Sequence, residues 1–424
     1  HEFWIVVVAA NDGMVHVFDA HGTKATNGGK EIFAYVPSQS LRASSNISTP
    51  ESLAAYAKSD YQTKHRYYVD GDISLATIND NKQRMAFGAL GQGGRGIYAL
   101  DLTDLSKVTT SSASAIVKWE FTHANMGFNQ AAPAVVDVNL EAGKTRVVIF
   151  SNGFNASALS KAGTCGAYPC GTIFVLNAQT GSPLATLTTT AMSGLSEPAV
   201  VDKDSDGYAD TIYAGDLKGN VWRFDISNAK ATSWSNGTKI FTAIASDGVH
   251  GQPITSRPSV SKHASGGVMV YFGTGKYLET TDSIASNQTY KESLYGLWDN
   301  PKDTSEIKRS SLFARTITDN DTSRFIADSA TAIDWSSQRG WYMDLPTTGE
   351  RIVTNTEYVY GKLNVTTMIP GSDTVNCTNG GKGWLMQLEA TTGKSYIQGR
   401  DADKATANLQ TGGVPSNLNA TLVS

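Results

Sequence analysis

The sequence predicts an all-β protein, a modified seven-bladed β-propeller with helical and loop insertions. Three observations support this fold: the composition, a turn-and-strand unit that recurs along the chain, and a second strand-like element that precedes it. Of the 424 residues, 40 are Gly and 9% are aromatic, but only 17% are charged. Such a composition excludes charge-driven disorder and a coiled coil. The net charge of −4 argues against a nucleic-acid partner.

The recurring unit is a turn with Gly and Asp or Asn, followed by a strand that ends in an acidic or amide residue. It reads ANDGMVHVFDA at 10–20 and AGDLKGNVWRFDI at 214–226. The strands of seven such units end at Asp19, Asp101, Asn177, Asp225, Asp299, Asp344 and Glu389. The last two spacings are about 45 residues, the length of one four-stranded propeller blade, and the longer gaps leave room for insertions. A β-sandwich with coincidental turns is the alternative.

The second element is the sequence PAVVD, which occurs at Pro133–Asp137 and again at Pro198–Asp202. Each copy is followed by a β-branched run and then by a Gly-containing turn. Strands separated by short turns in this way form an antiparallel meander. The two repeats together therefore predict the successive strands of single propeller blades.

We expect residues 4–400 to form the propeller. A Ser and a Glu at capping-box spacing predict a helix at about 48–58, and residues 154–170 form a predicted cysteine-containing loop. Residues 401–424 are polar and irregular, and either close the propeller or leave it. Residues 1–3 are typical of a cloning remnant, so the chain is expected to be part of a larger protein. No run of 18 apolar residues predicts a transmembrane helix.

The strongest chemical motif is the segment DKDSDGYAD at 202–210. Carboxylates at positions 1, 3, 5 and 9 with Gly at position 6 match the first nine places of an EF-hand-type calcium loop. The predicted Ca²⁺ ligands are the side chains of Asp202, Asp204, Asp206 and Asp210 and the backbone carbonyl of Tyr208. Magnesium and an acidic, solvated turn without any ion are the alternatives.

The flanks of this loop are strand-like, so we expect the loop on a β-hairpin. Tyr213 stands at position 12, where an EF-hand has a bidentate Glu, which predicts weaker and more exchangeable binding. The segment 137–141 follows the other PAVVD copy and has a partial alternation of oxygen-bearing side chains. Lys144 and Arg146 add positive charge beside it. We therefore interpret it as a relative of the loop that has lost its ion.

The cysteines favour a disulfide over a metal site. Cys165 and Cys170 lie in the Gly- and Pro-containing segment TCGAYPC and are candidates for a disulfide, which would imply an oxidising compartment. Cys377 is left over. Neither a zinc-type His motif nor a G-x-S-x-G elbow occurs, and GQGGRG at 91–96 is best explained as a propeller turn. We therefore expect no enzyme activity.

The segments ANDGMVHVFDA, HRYYVDGD, RGIYALDLT and DKDSDGYADTIYAGDLKGNVWRFDIS resemble the C-terminal propeller region of the PilC/PilY family of type IV pilus biogenesis factors and tip-associated adhesins. The similarity runs over most of 4–300, and 202–226 is its most specific part. The resemblance implies a seven-bladed propeller at the bacterial outer surface or pilus tip. It also implies that the acidic loop binds calcium and regulates whether pili persist or are retracted.

These expectations combine into a calcium-binding pilus biogenesis and adhesion domain whose Ca²⁺ occupancy regulates pilus extension, retraction and twitching motility. The implied partners are type IV pilus subunits or minor pilins and a host-cell receptor, with peripheral outer-membrane association. The sequence has no Arg-Gly-Asp tripeptide, so integrin recognition through that motif is not implied. The alternatives are a quinone-dependent propeller dehydrogenase and an adhesin in which Ca²⁺ is only structural.

Overall fold

The computed structural model consists mainly of antiparallel β-sheets, and in four of the six sheets of the described residues the strands follow one another in chain order. It describes residues 4–21, 28–41, 67–105, 108–109, 113–154, 170–285, 288–319, 323–326, 331–371, 381–396 and 407–411. These residues form two compact units. The first comprises His1–Gly194, Gly207–Ala209 and Ile226–Trp234, and the second comprises Leu195–Asp206, Asp210–Asp225 and Ser235–Ser424.

The first unit contains three sheets with sequential strand order. The first sheet has β1 (Ile5–Ala9), β2 (Val15–Asp19) and β3 (Glu31–Tyr35). The second has β4 (Ile73–Ile78), β5 (Gln83–Ala89), β6 (Ile97–Asp101) and β7 (Val117–Phe121). The third has β8 (Ala134–Leu140), β9 (Gly143–Ser151), β10 (Thr172–Asn177) and β11 (Pro183–Thr188). The two four-stranded sheets are meanders of the predicted kind.

The second unit also contains three sheets. The fourth sheet has β12 (Ala199–Val201), β13 (Thr211–Gly215), β14 (Asn220–Asp225) and β15 (Thr238–Thr242) in sequential order. The fifth, in the order β16-β17-β18-β22-β19, has β16 (Ser259–Lys262), β17 (Val268–Gly273), β18 (Ser293–Asp299), β22 (Gly340–Asp344) and β19 (Phe313–Arg315). The sixth, in the order β20-β21-β26-β25-β24-β23, has β20 (Ile317–Asp319), β21 (Ser323–Ile326), β26 (Ala407–Thr411), β25 (Lys382–Glu389), β24 (Lys362–Thr366) and β23 (Glu357–Val359).

This architecture confirms the predicted all-β propeller class. The seven sequence units are carried by the six sheets of the described residues, because the units that end at Asp299 and Asp344 lie on neighbouring strands of the fifth sheet. The segment between these two strands includes β19, which also joins the fifth sheet by pairing with β22. Within the predicted tail, β26 pairs with β25 and β21.

Helical structure is limited to short segments among the described residues. The α-helices are α1 (Ser38–Leu41) and α2 (Ala113–Ile116), and the 3-10 turns include Gly91–Gly93, Ala231–Ser233, Thr280–Ser283 and Arg309–Ser311. The predicted helix at 48–58 lies outside the described residues, as do residues 1–3 and most of the cysteine loop. None of the helices that are described has the length and apolar character needed to cross a bilayer.

Each unit has its own apolar core, which forms where the inward faces of neighbouring sheets meet. In the first unit the rings of Phe150 and Phe174 stack at 5.4 Å between centroids and are almost completely buried. In the second unit Trp341 is fully buried and its indole N–H donates to the carbonyl of Ala390 at 2.9 Å. The middle strands are strongly buried, and β13 and β17 are buried at every position.

Candidate metal site

The acidic loop 202–210 connects two antiparallel strands of the fourth sheet. β12 ends at Val201 and β13 begins at Thr211, and these two residues face each other in the strand register. The N–H of Asp210 donates to the carbonyl of Val201 at 2.8 Å and closes the loop at its root. The predicted setting on a β-hairpin is therefore confirmed.

Carboxylate side chains shape the loop by accepting hydrogen bonds from its own backbone. The contacts are Asp202 Oδ1 with the N–H of Ser205 at 2.6 Å, Asp204 Oδ1 with the N–H of Asp206 at 3.2 Å, and Asp210 Oδ2 with the N–H of Lys203 at 2.7 Å. Asp residues favour such turns because a short carboxylate reaches a backbone N–H two or three residues further on. These bonds orient the carboxylates toward the inside of the loop.

Two residues of the loop have left-handed backbone conformations, Ser205 with φ of 66° and Gly207 with φ of 90°. No atom lies within 4 Å of a Cβ built on Gly207, so the requirement for Gly is conformational rather than steric. Position 6 of the calcium-loop pattern is therefore occupied by a residue that makes the expected sharp turn.

Three of the predicted ligands come together. One carboxylate oxygen from each of Asp202, Asp204 and Asp210 lies within 4.8 Å of the other two. Asp204 is exposed to solvent, while Asp202 and Asp210 are partly buried. The side chain of Asp206 is exposed and not part of this group, and the carbonyl of Tyr208 stays a prediction.

The electrostatics of the loop favour a bound cation. Partial burial raises the pKa of Asp210, and the charges of Asp204 and Asp206 raise it further, while Lys203 opposes both effects. Carboxylates this close repel one another, and a divalent cation would remove the repulsion. The cluster consists of hard oxygen donors and includes the solvent-exposed Asp204, so the residues fit a calcium ion, which takes six to eight oxygen ligands including water.

Lys262 is a neighbour of the loop that sequence reasoning missed. Its Nζ, at the end of β16, donates to the Oγ of Ser205 at 2.5 Å. No local signal could have identified it, since it is 57 residues from Ser205 along the chain. The ammonium group of Lys262 therefore brings a positive charge close to the acidic loop.

The segment after the other PAVVD copy differs from the loop. Here β8 continues to Leu140, which faces Gly143 across a tight turn, so no nine-residue loop forms. The carboxylate of Asp137 is 2.8 Å from Arg146 Nε and 3.1 Å from Lys144 Nζ. Two side-chain cations therefore neutralise the acidic residue that is equivalent to Asp202.

Of the two cysteines in the predicted disulfide, the structure describes only Cys170. Cys170 is buried and takes part in a disulfide. Cys165 and Cys377 lie outside the described residues, so the pairing of Cys165 with Cys170 stays a prediction.

A comparison with known protein families identifies the fold. Residues 3–329, more than half of the chain, match the family model described as the PilY1 β-propeller domain. The chain belongs to the PilY1 β-propeller family. The predicted resemblance is thereby confirmed. The crystal structure of the Pseudomonas aeruginosa PilY1 C-terminal domain superposes with a TM-score of 0.71 at 25% identity, covering 96% of this chain and 86% of that one.

Curated relatives support the same family. A protein of Xylella fastidiosa named type IV pilus biogenesis factor PilY1 homolog is 31% identical over 99% of this chain, which corresponds to 28% of the relative. The type IV pilus biogenesis factor PilY1 of Pseudomonas aeruginosa strain PAO1 is 29% identical over 92% of this chain and 34% of the relative. The chain thus spans about a third of the length of these relatives.

Proposed function

We propose that this chain is the calcium-binding propeller domain of a type IV pilus biogenesis factor. The observation that carries the proposal is the meeting of three carboxylates in the hairpin 202–210 of a PilY1-family fold. The names of the relatives support the pilus role, and the donor chemistry of the loop supports the ion. We further propose that Ca²⁺ occupancy shifts the balance between pilus extension and retraction, and with it adhesion and twitching motility.

The ion would be held by Asp202, Asp204 and Asp210, with the side chain of Asp206 and the carbonyl of Tyr208 as further predicted ligands. When bound, it supplies the positive charge that the acidic loop lacks. The carboxylates keep their backbone hydrogen bonds and hold the turn closed above β13, which is buried along its whole length. Calcium binding would therefore favour the conformation of the hairpin that binds the ion more tightly. The free energy of this shift can be no larger than the difference in calcium affinity between the two conformations.

The partners follow from the same proposal. Type IV pilus subunits or minor pilins would contact the domain at the bacterial cell surface or the pilus tip, with peripheral association to the outer membrane. A host-cell receptor is a further candidate partner for an adhesive tip protein. The net charge of −4 gives no electrostatic attraction for nucleic acid.

The test is a calorimetric calcium titration of the 424-residue chain and of Asp204→Ala and Asp210→Ala. Asp334→Ala is the matched control, because Asp334 also accepts a backbone hydrogen bond, from Ser336 at 3.0 Å. Among the described residues it belongs to no cluster of acidic side chains like that of Asp202, Asp204 and Asp210. We expect calcium binding in the wild type and the control and a loss of at least tenfold in affinity in both loop variants. Undiminished binding in Asp204→Ala and Asp210→Ala would contradict the site.

The regulatory step is tested in bacteria that carry the same substitutions in the full-length protein. We expect altered pilus number and twitching with unchanged protein level. Normal pili and twitching together with calcium-dependent melting of the domain would instead support an adhesin with structural calcium. A bound quinone absorbance would support the dehydrogenase alternative, although the relatives are named pilus biogenesis factors and Cys165 and Cys170 are not adjacent.

A further inference from the structure

Strand β1 lies at the edge of a three-stranded sheet, whereas the other two sheets of its unit have four strands. Two hydrogen bonds at the ends of the β1–β2 ladder show which residues of β1 bond to β2. The N–H of Ala20 donates to the carbonyl of Trp4 at 2.8 Å, and the N–H of Ala10 donates to the carbonyl of Met14 at 3.0 Å. Because strand residues alternate, Ile5, Val7 and Ala9 direct their N–H and C=O groups away from β2. Among the described residues, no hydrogen bond reaches these groups on that side.

The same strand is apolar on both faces. Ile5 and Val7 pack against the core of the first unit, while Trp4, Val6 and Val8 are 64%, 48% and 41% exposed. The corresponding strands β13 and β17, each with a neighbour on both sides, are buried at every position. An exposed apolar edge strand pairs readily with another strand. β1 therefore has the apolar character of a central strand, but a neighbouring strand pairs with it on one side only among the described residues.

An apolar slot lies beside Ile5 of β1. Its volume is about 300 Å³, and it is lined mainly by apolar side chains, including Ile5, Leu75, Met85, Leu102 and Leu105. Leu75, on β4, is 61% exposed to solvent there. The slot would accept one or two aliphatic side chains of an added strand.

The repeats indicate which strand is missing. The turn between β1 and β2 is the unit ANDG, and its counterpart AGDLKG lies between β13 and β14. β13 is the second strand of its sheet and is preceded along the chain by β12, the PAVV strand. β1 is therefore the second strand of a four-stranded blade whose first strand would come directly before it.

We propose that the open edge of β1 is filled by a strand of the same polypeptide, namely the stretch that leads into Trp4 in the full-length protein. This strand runs antiparallel to β1 and has β-branched or aliphatic residues on both faces, as PAVV has in β12. The curated relatives have ample length for it. The chain covers 28% and 34% of their sequences, so 72% and 66% lie outside the match.

A second copy of the chain suits the edge less well. Pairing through one five-residue strand buries much less than the roughly 1,200 Å² of a stable complex between separate chains. A segment of the same polypeptide needs no such area, because its effective concentration at the edge is high. The occupant is therefore covalently continuous with β1.

Hydrogen–deuterium exchange at residue resolution tests the proposal on the 424-residue chain and the full-length protein. In the shorter chain, the amides of Ile5, Val7 and Ala9 should exchange fast and those of Val6 and Val8 slowly. In the full-length protein the three fast amides should slow by at least tenfold. No added protection there would overturn the proposal. Protection already in the 424-residue chain would assign the edge to its own residues, and concentration-dependent protection would assign it to a second copy; either result also overturns it.

Val7→Pro adds a second measurement, because it removes an N–H that faces the open edge. The matched control, Val8→Pro, removes one that faces β2. Because Val7 also packs against the core of the first unit, Val7→Pro should lower the melting temperature of the 424-residue chain somewhat and that of the full-length protein clearly more, whereas Val8→Pro should lower both by similar amounts. Equal effects of Val7→Pro in the two proteins would contradict a strand at this edge.

Discussion

Replacing Asp210 by Asn should change the stability of the domain in opposite directions with and without calcium. The amide keeps an oxygen that can accept the N–H of Lys203, now at 2.7 Å, but it removes one negative charge. At the 4.8 Å limit between the carboxylate oxygens, and with the dielectric constant of water, each pair repels by about 0.9 kcal/mol. Asp210 takes part in two of the three pairs. In chelator, Asp210→Asn should therefore raise the free energy of unfolding by about 1–2 kcal/mol.

Calcium should reverse this order. A ligand at 100 times its Kd adds about 2.7 kcal/mol to the folded state, provided that the unfolded chain does not bind it. The wild type should gain this amount, while the variant with only Asp202 and Asp204 in the group should gain much less. The wild type is then the more stable protein in calcium and the less stable one in chelator.

Urea denaturation followed by tryptophan fluorescence, in chelator and in millimolar calcium, measures this crossing. Trp222, almost completely buried in β14 of the same sheet, is a suitable reporter. Asp334→Asn is the control and should show the same calcium response as the wild type. The reasoning is refuted if Asp210→Asn is destabilised in chelator, or if calcium stabilises variant and wild type equally.

Three further predictions concern the remainder of the fold, each measured by chemical denaturation. Arg146→Met should lower the free energy of unfolding by about 1–3 kcal/mol, because it leaves the largely buried Asp137 without its closest cation. Glu350→Gln should cost about 1.5–3 kcal/mol, because it removes the charged hydrogen-bond acceptor that lies 2.5 Å from the fully buried Arg324, which keeps its ion pair with Asp319 at 3.1 Å. Burial raises the pKa of Glu292 to about 7, so stability should fall as the pH rises from about 4.5 to 7, and Glu292→Gln should flatten this slope.

Much of the fold could be predicted because each blade repeats the same local signals. The turn units place β2, β6, β10, β14, β18, β22 and β25 correctly, since Gly, joined by Asp or Asn in several units, specifies a turn next to each strand. The grouping of strands could not be predicted for the fifth and sixth sheets, in which strands that are distant along the chain pair with each other. β18 and β22 are separated by 40 residues that resemble a blade in length, and only tertiary pairing places both in the fifth sheet.

The metal site shows the same division between local and distant information. The alternation of Asp202, Asp204 and Asp210 and the turn at Gly207 are local, and the hairpin brings the three carboxylates together as the pattern required. The approach of Lys262 depends on the neighbouring sheet, and the sequence pattern carries no signal for it. Asp206 matches the pattern, but its exposed side chain is not among the three carboxylates that come together.

The two PAVVD segments accommodate the same acidic residue in two ways. Asp202 follows the end of β12, whereas Asp137 lies within β8, and in both cases the charge must be neutralised close to a well-packed sheet. At Asp137 the next strand supplies Arg146 and Lys144, so the turn can be short and needs no ion. After Asp202 the next strand, TIYAG, has no basic residue, and the connection instead adds further carboxylates. Because these carboxylates lie close together, we expect this hairpin, and not the one at Asp137, to respond to a divalent cation, which the calcium titration tests.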